Sequence, residues 1–269
     1  MELTVLVDND TFIDEYYLGE PGVCYYLEDG EQKILMDVGY SDICIRNAEA
    51  LHKNMTEVST ICLSHGHNDH TRGLKFLHQH GLLQGKTIVT HPNSLNKKEY
   101  EGENIGAPFS KEELGMLTSL LLSTEPVRIS EHLIFLGEIP NSNTFEKKKI
   151  IGKTRIDGIL QEDYVREDSA IVYQGKEGLT IITGCSHSGI CNIAEYAKKV
   201  CKDERIAGII GGFHLLTVSE QLSNTISYFK KNKIRNLYPC HCVSFEAKAE
   251  IHKAIPIHPV GVGLHISVH

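Results

Sequence analysis

Three histidines and one aspartate fall within the stretch Ser64-His65-Gly66-His67-Asn68-Asp69-His70. Imidazole nitrogens combined with a carboxylate suit zinc, iron or manganese rather than calcium or magnesium. His65 and His67 are two apart, so in an extended segment they point the same way. Asp69 and His70 follow in the turn, where they can face a second ion beside the first. The spacing is that of a two-metal site. Such a cluster becomes a metal candidate when further ligands arrive from elsewhere in the chain. They do: Asp37, His91, Cys185 to His187, His214 and His241 each stand at the end of a predicted strand.

The elements that must position these residues follow from hydrophobic pattern and turn chemistry. A β-rich run over 3–7 enters the turn Asp8-Asn9-Asp10. Strands over 22–27 and 33–38 flank Asp29-Gly30, a hairpin signal. A buried strand over 59–63 delivers the histidine loop, and a helix over 71–80 follows it. A second hairpin, 170–173 with 179–183, turns at Gly175-Lys176-Glu177-Gly178. Helices over 190–201, 218–230 and 245–253 then alternate with strands over 206–210 and 235–238, and a final strand covers 260–268. Hairpins followed by alternating strands and helices predict two similar α/β halves with their sheets face to face and helices outside. With no linker or low-complexity segment, residues 1–269 read as a single domain. Strand ends gathered on one edge would place the chemistry there. Residues 93–110 and 141–168 are polar and Gly-broken, without a clear period. Long segments of this kind inside a domain commonly serve as lids, so these two are expected to wall the active site.

Composition narrows the function. The chain has 269 residues, 41% hydrophobic and 23% charged, and a formal net charge of −8. That balance argues against nucleic acid, whose phosphates need Lys and Arg. No apolar run approaches the ~18 residues of a membrane span. Met1-Glu2-Leu3-Thr4 lacks the basic-then-apolar layout of a signal peptide. The eight cysteines form no Cys-x-x-Cys pair, and without a secretion signal they are expected as reduced thiols in a cytoplasmic protein. Cys185 and Cys240-His241-Cys242 stand apart because each abuts another candidate ligand. The expected partner is a small-molecule substrate. There is no phosphate-binding P-loop, dinucleotide fingerprint or serine elbow.

The His-x-His-x-Asp-His of residues 65–70, following Leu35-Met36-Asp37-Val38-Gly39, resembles the metallo-β-lactamase superfamily. Asn47-Ala48-Glu49, Glu167-Asp168-Ser169-Ala170, Gly184-Cys185-Ser186-His187, Gly211-Gly212-Phe213-His214-Leu215 and His241-Cys242 resemble one branch of it, the dihydropterin-ribofuranosylaminobenzene-phosphate synthase-like proteins. The resemblance implies a four-layer αββα sandwich with two divalent metal ions at one sheet edge, zinc foremost, with iron or manganese as alternatives. It puts His65 and His67 on one ion, and Asp69, His70 and His241 on the other. Asp37 matches a carboxylate that steadies the loop by hydrogen bonds. The middle ligands depart from the pattern. Superfamily members usually supply a histidine and then an Asp or Cys at a strand end; here Thr183-Gly184-Cys185 matches the strand end, but no histidine lies between His132 and His187. His187 is the expected replacement. Cys185 is read as a bridging thiolate or a supporting residue, and Asp168 as a rival ligand.

Two adjacent divalent ions acidify a bridging water and hold an oxyanion. Asp69 would orient that water and take its proton, with His214 protonating the leaving group. This machinery suits hydrolysis of a small anionic or phosphorylated substrate by a metal-bound hydroxide. It also suits a pterin transferase that joins a dihydropterin-methyl diphosphate to an aminobenzene ribotide and releases diphosphate. One scaffold hosts many reactions, so the fold does not choose. A di-iron redox protein fits less well, because position 67 is His where redox relatives carry Glu and no flavin domain is present. A non-catalytic metal sensor needs fewer ligands than these.

Overall fold

The computed structural model describes residues 1–269. The first half runs β1 (Glu2–Val7), β2 (Cys24–Asp29), β3 (Gln32–Met36), α1 (Ile43–Ala50), β4 (Thr60–Cys62), α2 (Asn68–Thr71), α3 (Gly73–Gln79) and β5 (Thr87–Thr90). Then come β6 (Lys98–Tyr100), β7 (Glu103–Asn104), α4 (Lys111–Leu117), β8 (Ser119–Leu122), β9 (Val127–Arg128), β10 (Leu133–Phe135), β11 (Lys153–Ile156) and β12 (Ile159–Glu162). The second half continues with β13 (Ala170–Gly175), β14 (Gly178–Thr183), α5 (Ile190–Cys201), β15 (Ile206–Gly211), α6 (Glu220–Lys231), β16 (Asn236–Pro239), α7 (Phe245–Ala254) and β17 (His265–Ser267).

Two mixed sheets form the centre, one of seven strands in the order β17-β1-β2-β3-β4-β5-β8 and one of six in the order β16-β15-β14-β13-β10-β9. Strand alternation sorts their side chains into layers. Tyr25, Leu27, Ile34 and Met36 of the first sheet meet Phe135, Ile171, Ile182 and Ile210 of the second, so one core lies between the sheets. Cys24, Tyr26 and Leu35 point the other way and pack on Cys44, Ala48, Leu74 and Leu77 of α1 and α3. On the far side, Val172, Leu179 and Ile181 pack on Ile193, Leu222, Phe229 and Ile251 of α5, α6 and α7. The result is the four-layer αββα sandwich that the hairpin-then-alternation pattern predicts. The β2–β3 hairpin turns at Gly30, whose φ of +62 suits glycine. No helix is long and apolar enough to cross a membrane.

Three details differ from the sequence reading. The helical turn begins at Asn68 rather than residue 71, so Asp69 and His70 are helical. The last strand is only His265–Ser267, paired with β1. The two polar segments are not bare loops: β6 and β7 from the first pair with β11 and β12 from the second as a third, four-stranded sheet. These strands span four residues at most and are rich in charge, so no period-2 pattern showed.

That small sheet is tied to the histidine loop. Gly66 presses so closely that a Cβ there would lie 2.3 Å from the Ser94 carbonyl oxygen and 2.8 Å from Lys98 Cε. Lys98 is itself buried, with Nζ 2.5 Å from Asp163 Oδ2 and 2.7 Å from Glu167 Oε1. Removing one member of a buried ionic cluster leaves charge without a partner, at a cost of about 3–5 kcal/mol. Lys98→Met is therefore expected to lower urea stability by that amount; a change within error would show that the cluster does not hold the third sheet in place.

Candidate metal centre

Asp37 ends the turn after β3 in the left-handed region, φ 58, fully buried. Its carboxylate accepts from Ser64 N–H and from Ser64 Oγ–H, both at 2.7 Å, and contacts His70 Nδ1 at 2.7 Å. Because the Ser64 hydroxyl proton goes to Asp37, the Ser64 oxygen can only accept from His65 Nδ1 at 2.9 Å. His65 thus carries its proton on Nδ1 and presents an Nε2 lone pair inward; His70 keeps its Nδ1 proton on Asp37, so Nε2 is the nitrogen that would face an ion once its second proton leaves. One carboxylate sets the tautomer of two histidines. Gly184 allows this closeness, since a Cβ there would stand 2.2 Å from Ser64 Oγ and 2.7 Å from Asp37 Oδ2.

The inward atoms gather in two groups. His65, Cys185 and His187 form one; Asp69, His70, Cys185 and His241 form the other, the ligand-type atoms of each lying within 4.8 Å of one another. Cys185 is common to both, with its Sγ 3.2 Å from His70 Nε2. His67 flanks the first group, its ring centroid 4.6 Å from that of His65 and 5.0 Å from that of His187. The Nε2 atoms of His67 and His187 are buried with no hydrogen-bond partner. Orphaned buried acceptors of this kind call for an ion or a water. The donor set of imidazoles, one carboxylate and one thiol fits zinc, iron or manganese. These residues could hold two ions side by side, with Cys185 between them.

Burial keeps three of these imidazoles unprotonated. Burial, reinforced by neighbouring imidazoles, holds His65 and His187 well below the ordinary histidine range. Burial also takes His67 down to about 4, with the Lys98 ammonium adding to the shift and Asp69 opposing it. His70 moves the other way, because Asp69 and Asp37 outweigh its burial. Burial pushes the Cys185 thiol up, so a thiolate there needs a positive neighbour.

His241 enters from the loop after β16, with Nε2 3.4 Å from Asp69 Oδ2. Its Nδ1 lies 3.0 Å from Asn9 Oδ1, which turns Nε2 inward. Asn9 is a supporting residue that the sequence reading took only as part of a turn. His214, at φ 48 after β15, sets its ring 4.4 Å from that of His187 and leaves Nδ1 buried without a partner. Cys242 also closes on the site, its Sγ donating to the Cys185 carbonyl at 3.3 Å. Asp168 stays outside both groups: its Oδ2 accepts from Ser188 N–H at 2.8 Å, bracing the loop that carries Cys185 and His187. His91 is also apart, with Nδ1 accepting from Asn93 N–H and Nε2 3.3 Å from Glu138. Asp37, Ser186, His214 and His241 all hold positive φ without being glycine, strain that clusters at sites where the surroundings fix it.

Two outcomes follow from this wiring. Asp37→Asn would present N–H groups to donors, scrambling both tautomers, and should weaken zinc binding about 10–100-fold in chelator competition; undiminished affinity would refute the assigned role. Folded His67 refuses a proton that the unfolded chain takes below about 6.5, so its contribution to stability is present above that pH and is lost as pH falls toward about 4. Chelator-treated wild type should accordingly lose more melting temperature over that interval than His67→Gln. Equal losses would remove His67 from the coupling.

Known proteins are similar to this chain in sequence and fold. The family model of the metallo-beta-lactamase superfamily matches residues 17–191. An uncharacterized protein of Methanocaldococcus jannaschii is 32% identical over 250 residues, covering 93% of each chain. The 7,8-dihydropterin-6-methyl-4-(beta-D-ribofuranosyl)-aminobenzene-5'-phosphate synthase of the same organism is 30% identical over 229 residues, 81% of this chain and 78% of that one. A crystal structure of a metal-dependent hydrolase of the beta-lactamase superfamily superposes with a TM-score of 0.84 at 28% identity, covering 100% of this chain and 99% of that chain. Fold, motif and relatives agree: this chain is an enzyme of the metallo-β-lactamase superfamily.

Proposed function

We propose that the protein is a dinuclear metal-dependent hydrolase of a small anionic or phosphorylated substrate. The observation that carries this reading is the pair of ligand groups sharing Cys185. Bound there, two divalent ions, zinc foremost, would acidify a water and neutralise an oxyanion. The chain's own residues divide the remaining work. His65, His67 and His187 serve one ion and Asp69, His70 and His241 the other, with Cys185 between them. Asp37, Ser64 and Asn9 aim the imidazoles. The Asp69 side chain, 30% exposed, is the carboxylate that reaches the opening and takes up a proton. His214, half-buried beside His187, is placed to hand a proton to the leaving group. The third sheet, built from 93–110 and 141–168, supplies a wall of the substrate space. Eight free cysteines suit a reducing cytoplasm.

The similarity to the dihydropterin synthase supports a second reading on the same residues, with diphosphate leaving a dihydropterin-methyl group as an aminobenzene ribotide attacks. An assay separates the two. Purified protein should contain about two metal ions per chain and hydrolyse members of a phosphoester panel, with chelation abolishing turnover. His214→Gln should keep the metal while kcat falls about 10²–10⁴-fold. Diphosphate release that requires the aminobenzene acceptor would establish the transferase instead. Full activity in metal-free protein would overturn both.

A further inference from the structure

On the outer side of the motif helix lies a cleft of about 360 Å³ that the metal centre does not use. Asn68, Arg72 and Lys75 line it at i, i+4 and i+7 of the helical run through α2 and α3. At about 100° per residue these three share one face, and His70 points to the opposite one. The facing wall is the end of β7 and the segment after it, with Asn104 and Phe109, and Tyr40 also lines the cleft.

The cleft is a local reversal of charge. The chain carries a formal −8, yet the lining includes one arginine and one lysine and no acidic residue. The neighbouring carboxylate, Asp69, is turned inward to His70 and His241. The Arg72 guanidinium lies over the Tyr40 ring, 4.2 Å from its centroid, and 5.9 Å from that of Phe76. Stacked in this way, a guanidinium is held flat while its N–H edge stays free for an oxyanion. Asn68 and Asn104 add amide groups, and Phe109 adds an apolar surface that would suit a flat ring. Two cations without carboxylate partners, amides and an aromatic floor in a cavity of small-molecule size make a binding site for an organic anion.

We propose that this cleft binds a small aromatic anion, a phosphate or carboxylate borne on a planar ring, independently of the metal ions and of the reaction they support. Phenyl phosphate, benzoate and phenol are the probes, titrated calorimetrically into the zinc-loaded full chain at low salt. Phenyl phosphate or benzoate should bind and phenol should not, and whichever acid binds tighter identifies the head group. Added salt should weaken the interaction, as expected for an exposed ionic contact. Arg72→Gln with Lys75→Gln should weaken binding at least about tenfold, with melting temperature and zinc content unchanged. Arg72→Lys, which keeps the charge and loses the stacked fork, should fall between. Chelator-treated wild type should retain the site. The proposal fails if neither acid binds, or if chelation abolishes binding while the Arg72 and Lys75 substitutions leave it intact. It fails equally if phenol binds as well as the acids.

Discussion

The site depends on one buried carboxylate. Asp37 accepts from the Ser64 amide, the Ser64 hydroxyl and His70 Nδ1, and so joins the end of β3 to the end of β4 and to the motif helix. A carboxylate so deep in a protein is costly unless its lone pairs are satisfied. Here that satisfaction is supplied by the same residues whose orientation the site needs. Folding and site organisation are therefore one event: the carboxylate that could not be buried alone is buried by aligning His65 and His70. The left-handed backbone at Asp37 belongs to the same compromise, because a sharp turn is needed to aim the side chain under the histidine loop.

Much of this was legible in the residues themselves. The hairpin at Asp29-Gly30, the buried strand before Ser64 and the alternation of strand and helix after Cys185 follow from local pattern, and local pattern decides layers. Residue types alone marked the histidine stretch, since few other roles gather imidazoles and a carboxylate at such spacing. What could not be read were contacts between positions far apart. Asn9 meets His241 across 232 residues, and nothing in Asp8-Asn9-Asp10 announces a partner. The third sheet was missed for a different reason. Its strands are too short for alternation to show, and its buried charges, Lys98 with Asp163 and Glu167, look like solvated surface until they are seen paired.

The middle of the site held three candidates in sequence, with His187 foremost. Asp168, His187 and Cys185 all sit near strand ends in the right region of the chain. Asp168 lies outside both ligand groups and accepts through Oδ2 from the Ser188 amide, and burial raises its carboxyl to about 6. His187 instead turns its ring toward His65 and His67 with a buried, partnerless Nε2. Cys185 alone belongs to both clusters. Asp168 acts by holding the loop on which the other two ride.

A thiol at the shared position changes what the site can tolerate. A carboxylate there would bring its own charge, and it and Asp69 would repel one another in the metal-free protein. A buried thiol stays neutral until a cation arrives, because burial pushes its proton affinity up. The same economy governs His65, His67 and His187, which burial keeps uncharged and ready to coordinate. His70 differs, being held charged between Asp69 and Asp37. A cation held here would supply the positive charge that releases the thiol proton. Coordination by these residues would accordingly be coupled to pH through Cys185 and His70, in a cradle built on Asp37, Ser64 and Asn9.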